Sequence, residues 1–273
     1  MTRLAPLAVA TLVAAATGVA RGDDPAAILL AVLDVESAPG LAVGGPLRAT
    51  IELNASALPK VASLREWFPG ARESGGRVAV VLEGRSPSAT RRPTAAHRRA
   101  SFLVDFDRPE VAPFREEVER HAGARAAEEL ATVVSAWVER KTMTRGIDVA
   151  SRVATHREGD CTEHAVLLAA AARIAGRPAR VVFGVALVPI EGRLRGFGHA
   201  WAEIHDGSGW RTVDATPLPA GVRYLPLGAI GDEGPGYLVG AWANLSPIDV
   251  RRLVLEPALP ARAAPPIAAP PDP

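Results

Sequence analysis

The sequence reads as a chain of the α+β class, with strands in its first hundred residues, helices through its middle, and strands again beyond them. Three stretches carry that reading. Leu47 to Leu53 places Leu47, Ala49, Ile51 and Leu53 at period two, the pattern of a strand with one buried face. Leu130, Val133, Val134, Trp137 and Val138 fall on one side of a helix. Ala165 to Arg173 contains neither Gly nor Pro and consists almost wholly of good helix formers, and Gly176 and Pro178 then supply a stop.

The chain opens with Met1-Thr2-Arg3 and an apolar run from Leu4 to Ala20 that ends in the small residues Gly18-Val19-Ala20. Residues 1–20 are expected to be a secretory signal removed on export, with an uncleaved anchor as the competing reading. The run is short for a membrane span and no later segment is apolar enough to be one, so a mature protein without a transmembrane segment is expected, periplasmic or secreted. Residues 27–110 read as a small β-rich module, with strands at Ile28–Val35, Leu47–Leu53, Arg77–Leu82 and Ala100–Phe106. Arg91, Arg92, His97, Arg98 and Arg99 sit in the loop from Arg85 to Arg99. A solvated loop is favoured there over a basic substrate patch.

Residues 111–255 read as the core. Val111 to Lys141 is helical, broken near Gly123, with Trp137 packed inward, and Thr142 to Glu158 links it to the next helix. A strand follows at Ala179–Val188, then two short strands at Ala200–His205 and Gly209–Val213. The chain is irregular past Asp214, apart from a strand near Val250–Leu255, and residues 256–273 form a Pro/Ala-rich tail. Hydrophobic residues make up 48% of the chain, enough for a substantial core. Thirty-one basic residues against thirty acidic ones leave a formal charge of +1, which gives no reason to expect nucleic acid or another polyanion as partner.

The chemistry centres on Cys161, the single cysteine, which cannot form an internal disulfide. It sits in Gly159-Asp160-Cys161-Thr162-Glu163-His164, at the start of the helix, where free backbone N–H groups and the macrodipole favour a thiolate. Downstream lie His199 and Asp214. A turn at Asp206-Gly207 would pair His199 directly with Asp214 across a hairpin, whereas a turn at Gly207-Ser208 would set Asp214 opposite Trp201 with His199 as a diagonal neighbour. Cysteine, histidine and aspartate in this order are the parts of a nucleophilic acyl-transfer site. A metal site built from Cys161, His164, His199, His205 or Asp214 is the sparser alternative. No cofactor and no metal are expected.

The segments Gly159 to Ala165, Ala175-Gly176-Arg177-Pro178-Ala179-Arg180-Val181-Val182, His199-Ala200-Trp201-Ala202-Glu203 and Val213-Asp214-Ala215-Thr216 resemble the transglutaminase-like superfamily. Ala215 departs from the proline usual in the last motif. The resemblance runs over about residues 115–216. It implies a papain-like α+β core, with the cysteine at a helix N-terminus and the histidine and aspartate on adjacent antiparallel strands. It also implies roles: Cys161 as nucleophile, His199 as general base and acid, Asp214 as the residue that orients the ring. The function expected is exported, cysteine-dependent hydrolysis of peptide or protein amides, those of the cell envelope among them, through a thioester. Protein crosslinking with an amine acceptor is the alternative within enzymes. A non-catalytic module binding peptide or envelope components is the alternative outside them.

Overall fold

The computed structural model describes residues 32–38, 41, 44–121, 127–142, 147–230 and 243–258. The expected signal segment, the break at Gly123 and nearly all of the expected tail lie outside these residues. The architecture is mixed α and β. In chain order it runs β1 (Val32–Leu33), β2 (Val35–Ser37), β3 (Leu47–Leu53), a 3-10 stretch Ala55–Glu66, β4 (Glu73–Ser74) and β5 (Arg77–Leu82). Helices α1 (Ala112–Arg120) and α2 (Ala127–Trp137), strand β6 (Arg140–Lys141), helix α3 (Ala150–His156), strand β7 (Glu158–Gly159) and helix α4 (Cys161–Ile174) follow. The chain continues as β8 (Ala179–Ile190), β9 (Arg193–His205), β10 (Trp210–Val213), β11 (Arg223–Ala229) and β12 (Val250–Pro257).

The central sheet has the order β1-β9-β8-β11, and β10 adds to the same edge of β9 as β1. Both faces of this sheet are covered. Val181, Phe183, Ala200, Ala202 and Ile204 face the helices and share their core with α4. Val182, Ala186, Phe197 and Trp201 face a second sheet, β2-β12-β3-β5-β4, and pack with Leu47, Ile51, Val80 and Leu82. A strand buried on both faces needs an apolar residue at almost every position, which explains the unbroken run in β8. Helix α4 is likewise buried from Cys161 through Arg173, and its alanines let neighbouring elements approach closely. Among the described residues no helix is long and apolar enough to cross a membrane.

Several elements differ from the sequence reading. The N-terminal strands do not close a sheet of their own, because β12 from residues Val250–Pro257 lies between β2 and β3. Ala100–Phe106 is not a strand. Its consecutive apolar residues Leu103 and Val104 are buried under the helices, and the Leu103 carbonyl accepts the Ala150 N–H at the start of α3. Asp105 reinforces that start by accepting from Ser151 N at 2.8 Å and Ser151 Oγ at 2.7 Å. Part of the link Thr142–Glu158 is therefore helical. The region past Asp214 contains β11, whose register against β8 shifts between Pro226 and Gly228. A bulge tolerates residues that read as loop in a sequence.

A buried ion pair ties the layers together. Glu203 Oε2 accepts from Arg180 Nε at 3.0 Å and Nη2 at 2.7 Å, while Glu203 Oε1 takes Trp67 Nε1–H at 2.6 Å. Arg180 also reaches Glu66, and its guanidinium lies over the rings of Trp67 and Trp210. Removing one partner of a buried pair leaves the other charge uncompensated. Glu203→Gln is therefore expected to destabilise the fold by about 3 kcal/mol, measured by urea unfolding at neutral pH.

Candidate active site

The start of α4 is built by Gly159 and Asp160. Gly159 has φ of 156°, and a Cβ there would lie 2.2 Å from Glu163 Cβ, so the turn requires glycine. Asp160 is the N-cap: its carboxylate accepts from Thr162 N at 2.8 Å and Thr162 Oγ1 at 2.7 Å. Glu163 reaches back to accept the Asp160 N–H at 2.9 Å, completing a capping box. Burial and the neighbouring Asp160 charge push the Glu163 carboxyl up to about 8.

These carboxylates change the expectation for Cys161. Its side chain is buried at the first residue of α4. Burial pushes the Cys161 thiol well above its ordinary value, and the Asp160, Asp214 and Glu163 carboxyls push the same way. The Ala200 backbone N–H acts against them as a donor to the sulfur. The helix start does not prevail, because its first amides are already occupied by Asp160 and Glu163. These surroundings favour the neutral thiol of Cys161.

The topology explains how the Ala200 N–H comes to face the sulfur. Along one edge of β9, β1 pairs with Gly196 and Phe197, and β10 pairs with Ala202 through His205. Among the described residues, positions 198–201 between them carry no strand partner on that edge. Cys161 meets the sheet in this gap, beside the residue that follows His199.

The hairpin turn settles the register. Asp206 N–H donates to Gly209 O at 3.1 Å, and His205 pairs with Trp210, so Gly207-Ser208 is the two-residue turn. The alternative turn at Asp206-Gly207 is excluded, and with it the direct pairing of His199 and Asp214. Val213 lies opposite Ala202, which sets Asp214 one step further on, diagonal to His199. The diagonal is spanned by the side chains: His199 Nε2 and Asp214 Oδ2 are 2.8 Å apart, and both side chains are almost fully buried. With Nε2–H given to Asp214, Nδ1 is the ring nitrogen able to take a proton. Burial alone would raise Asp214, but His199, the Thr216 N–H and the Tyr224 hydroxyl hold its carboxyl below the usual range.

His164 does not join these groups as a ligand. Its Nδ1 lies 2.5 Å from Asp160 O and its Nε2 2.7 Å from Lys141 Nζ. Burial, with the Lys141 charge, lowers it to about 4, so it is a neutral ring that donates to the carbonyl and accepts from the ammonium. His205 sits at the other end of the hairpin, stacked edge-on against Trp210. Trp201 is fully buried between the sheets and packs on Tyr224 at 5.0 Å, so it belongs to the core and not to a cleft wall. Tyr224 is a residue the sequence reading missed. It carries no motif, and its region, rich in Pro and Gly, reads as irregular.

The fold and the site together define a mixed α+β chain in which a helix-start cysteine meets a strand bearing a histidine bonded to an aspartate. The model of the transglutaminase-like superfamily matches residues 114–215, from within α1 to the residue after Asp214. Over that segment the chain is similar to transglutaminase-like proteins. Among solved structures, the chain is similar to one described as "a Putative Cysteine Protease from Cytophaga hutchinsonii", with 16% identity and a TM-score of 0.42 over 67% of this chain and 76% of that one. It is also similar to the periplasmic domain of TgpA from Pseudomonas aeruginosa bound to ethylmercury. The identity there is 19% and the TM-score 0.26, over 66% of this chain and 92% of that one. No curated protein matches the chain.

The electrostatic account has a direct test. Asparagine caps a helix as well as aspartate does but carries no charge, so Asp160→Asn should keep α4 and make the Cys161 thiol more acidic. Its alkylation by iodoacetamide at pH 8, followed by intact mass, is expected to be several-fold faster than in the wild type. In the wild type the rate should rise steeply only above the ordinary thiol range of about 8.5.

Proposed function

We propose that this protein is an exported cysteine-dependent acyl-transfer enzyme that hydrolyses peptide or protein amides through a thioester. The observation that supports it most is the convergence at the gap in β9. Ala200, whose N–H faces the Cys161 sulfur, follows His199 directly in β9, and His199 is hydrogen-bonded to Asp214. In this reading His199 Nδ1 takes the thiol proton as Sγ forms a bond to the carbonyl carbon, leaving a tetrahedral oxyanion. Collapse breaks the C–N bond, and the proton on His199 goes to the departing amine. Water, deprotonated by His199, then attacks the thioester and releases the acid and the thiol. Asp214 holds the Nε2–H tautomer and stabilises the charge that the ring acquires.

The neutral resting thiol fits this order of events. The proton moves in the attacking step, so His199 is needed in that step and not to maintain a standing ion pair. The negative surroundings of Cys161 also disfavour a free thiolate, which in an exported protein would be open to oxidation. Export itself is read from residues 1–20.

The test uses a proteome-derived peptide library with a fluorescent primary amine present, read by mass spectrometry. The expected result is new carboxyl groups, from cleavage or deamidation, that disappear with Cys161→Ala. Incorporation of the amine instead would replace hydrolysis by crosslinking. Peptide binding that persists unchanged in Cys161→Ala, with no product in either protein, would replace the enzyme by a binding module.

A further inference from the structure

Asp214 is held by more than His199. Its Oδ1 accepts the Thr216 N–H at 2.8 Å, while its Oδ2 accepts two side-chain donors, His199 Nε2 at 2.8 Å and the Tyr224 hydroxyl at 2.8 Å. Tyr224 is fully buried on β11, two strands away from His199, and its ring lies 6.3 Å from the imidazole and 5.0 Å from Trp201. The hydroxyl in turn accepts from Arg85 Nη2 at 3.2 Å. Arg85 is tied to the same residue twice more: its carbonyl accepts the Tyr224 N–H at 2.9 Å, and its guanidinium lies 5.1 Å over the Tyr224 ring. Three separate contacts hold Arg85 on Tyr224, so the juxtaposition does not depend on one rotamer of a long side chain.

We infer that Tyr224, backed by Arg85, is a positioning residue of this site: its hydroxyl shares Asp214 Oδ2 with His199 and so sets how strongly Asp214 holds the ring. Two donors on one carboxylate oxygen weaken each other, because each draws on the same charge. The Arg85 cation makes the Tyr224 hydroxyl a stronger donor and increases its share. The result is a moderated imidazole. A ring bonded too strongly by Asp214 would take the thiol proton readily but give it up poorly to the departing amine. Tyr224 also fixes the carboxylate plane, which Thr216 alone would leave free to turn about Oδ1. Arg85 comes from the stretch before the helices, so this part of the chain reaches the histidine through three successive hydrogen bonds.

The inference rests on the acyl-transfer reading for its meaning, but its test needs no substrate. Proton NMR of 15N-histidine-labelled full-length protein reports the Nε2–H of His199, one of six histidines. Tyr224→Phe keeps the ring that packs on Trp201 and removes only the hydroxyl. The His199 Nε2–H signal is expected to move downfield, as Nε2–H takes the whole of Oδ2, while the other five histidines stay in place. Arg85→Gln, at an exposed position, is expected to move it the same way by a smaller amount. An unmoved His199 signal in folded Tyr224→Phe would reduce Tyr224 to core packing and overturn the proposal. Should Tyr224→Phe fail to fold, Arg85→Gln decides in the same manner. Failure of the acyl-transfer reading would appear as absent chemistry at Cys161 with these shifts intact, so the two outcomes are separable.

Discussion

Among the described residues, the site sits at an interruption in strand pairing. β9 is paired along its whole length on one side by β8, while on the other side β1 pairs with Gly196 and Phe197 and β10 with Ala202 to His205. Had β10 continued past Val213, its backbone would have used the Ala200 N–H and covered the place where α4 meets the sheet. The two-residue turn at Gly207-Ser208 sets the length of this hairpin. It releases the chain at Asp214, where the carboxylate reaches diagonally to His199. Backbone geometry, more than any single side chain, sets Asp214 within reach of His199 and turns the Ala200 N–H toward Cys161.

The same arrangement governs the electrostatics. A helix start ordinarily favours an anion, but here its free amides are taken by Asp160 and Glu163, whose capping box also requires Gly159. The local price of a well-formed helix terminus is a set of carboxyl groups around the sulfur. The Ala200 N–H is the main counterweight, and it comes from the sheet. Cys161 and His199 are thus linked through adjacent residues of β9, Ala200 and His199. The packing on the far side of the sheet supports this: Trp201 and Tyr224 fill the space behind His199 and fix the ring from the core side.

Much of this was legible in the sequence where local chemistry decided the outcome. The strands Leu47–Leu53 and Arg77–Leu82 alternate cleanly because one face is buried and the other is not, and their ends coincide with β3 and β5. Helix α4 announces itself through its run of helix formers and its stop. Cys161, His199 and Asp214 stand in motifs, so their candidacy was readable, whereas their register was not. One residue of turn position decides whether His199 and Asp214 are direct or diagonal neighbours, and Asp-Gly and Gly-Ser are both acceptable turns. Ala100–Phe106 misleads because two consecutive buried residues mimic a strand while their backbone serves a helix start. Tyr224 was invisible because its importance lies in a contact with Asp214 that β11 creates only once it docks on β8. The upward push on Cys161 was not legible because burial, its largest cause, arises only in the folded core, and Asp214 reaches it across the fold, although Asp160 and Glu163 stand beside it in the sequence.

The most direct test of the account is acylation of Cys161 by p-nitrophenyl acetate at neutral pH, with the acetyl group located by intact mass and peptide mapping. The account predicts a single acetyl group on Cys161, formed at least about 100-fold more slowly in His199→Ala. Acetylation that proceeds at the same rate without His199, or that never reaches Cys161 in the folded protein, would contradict it.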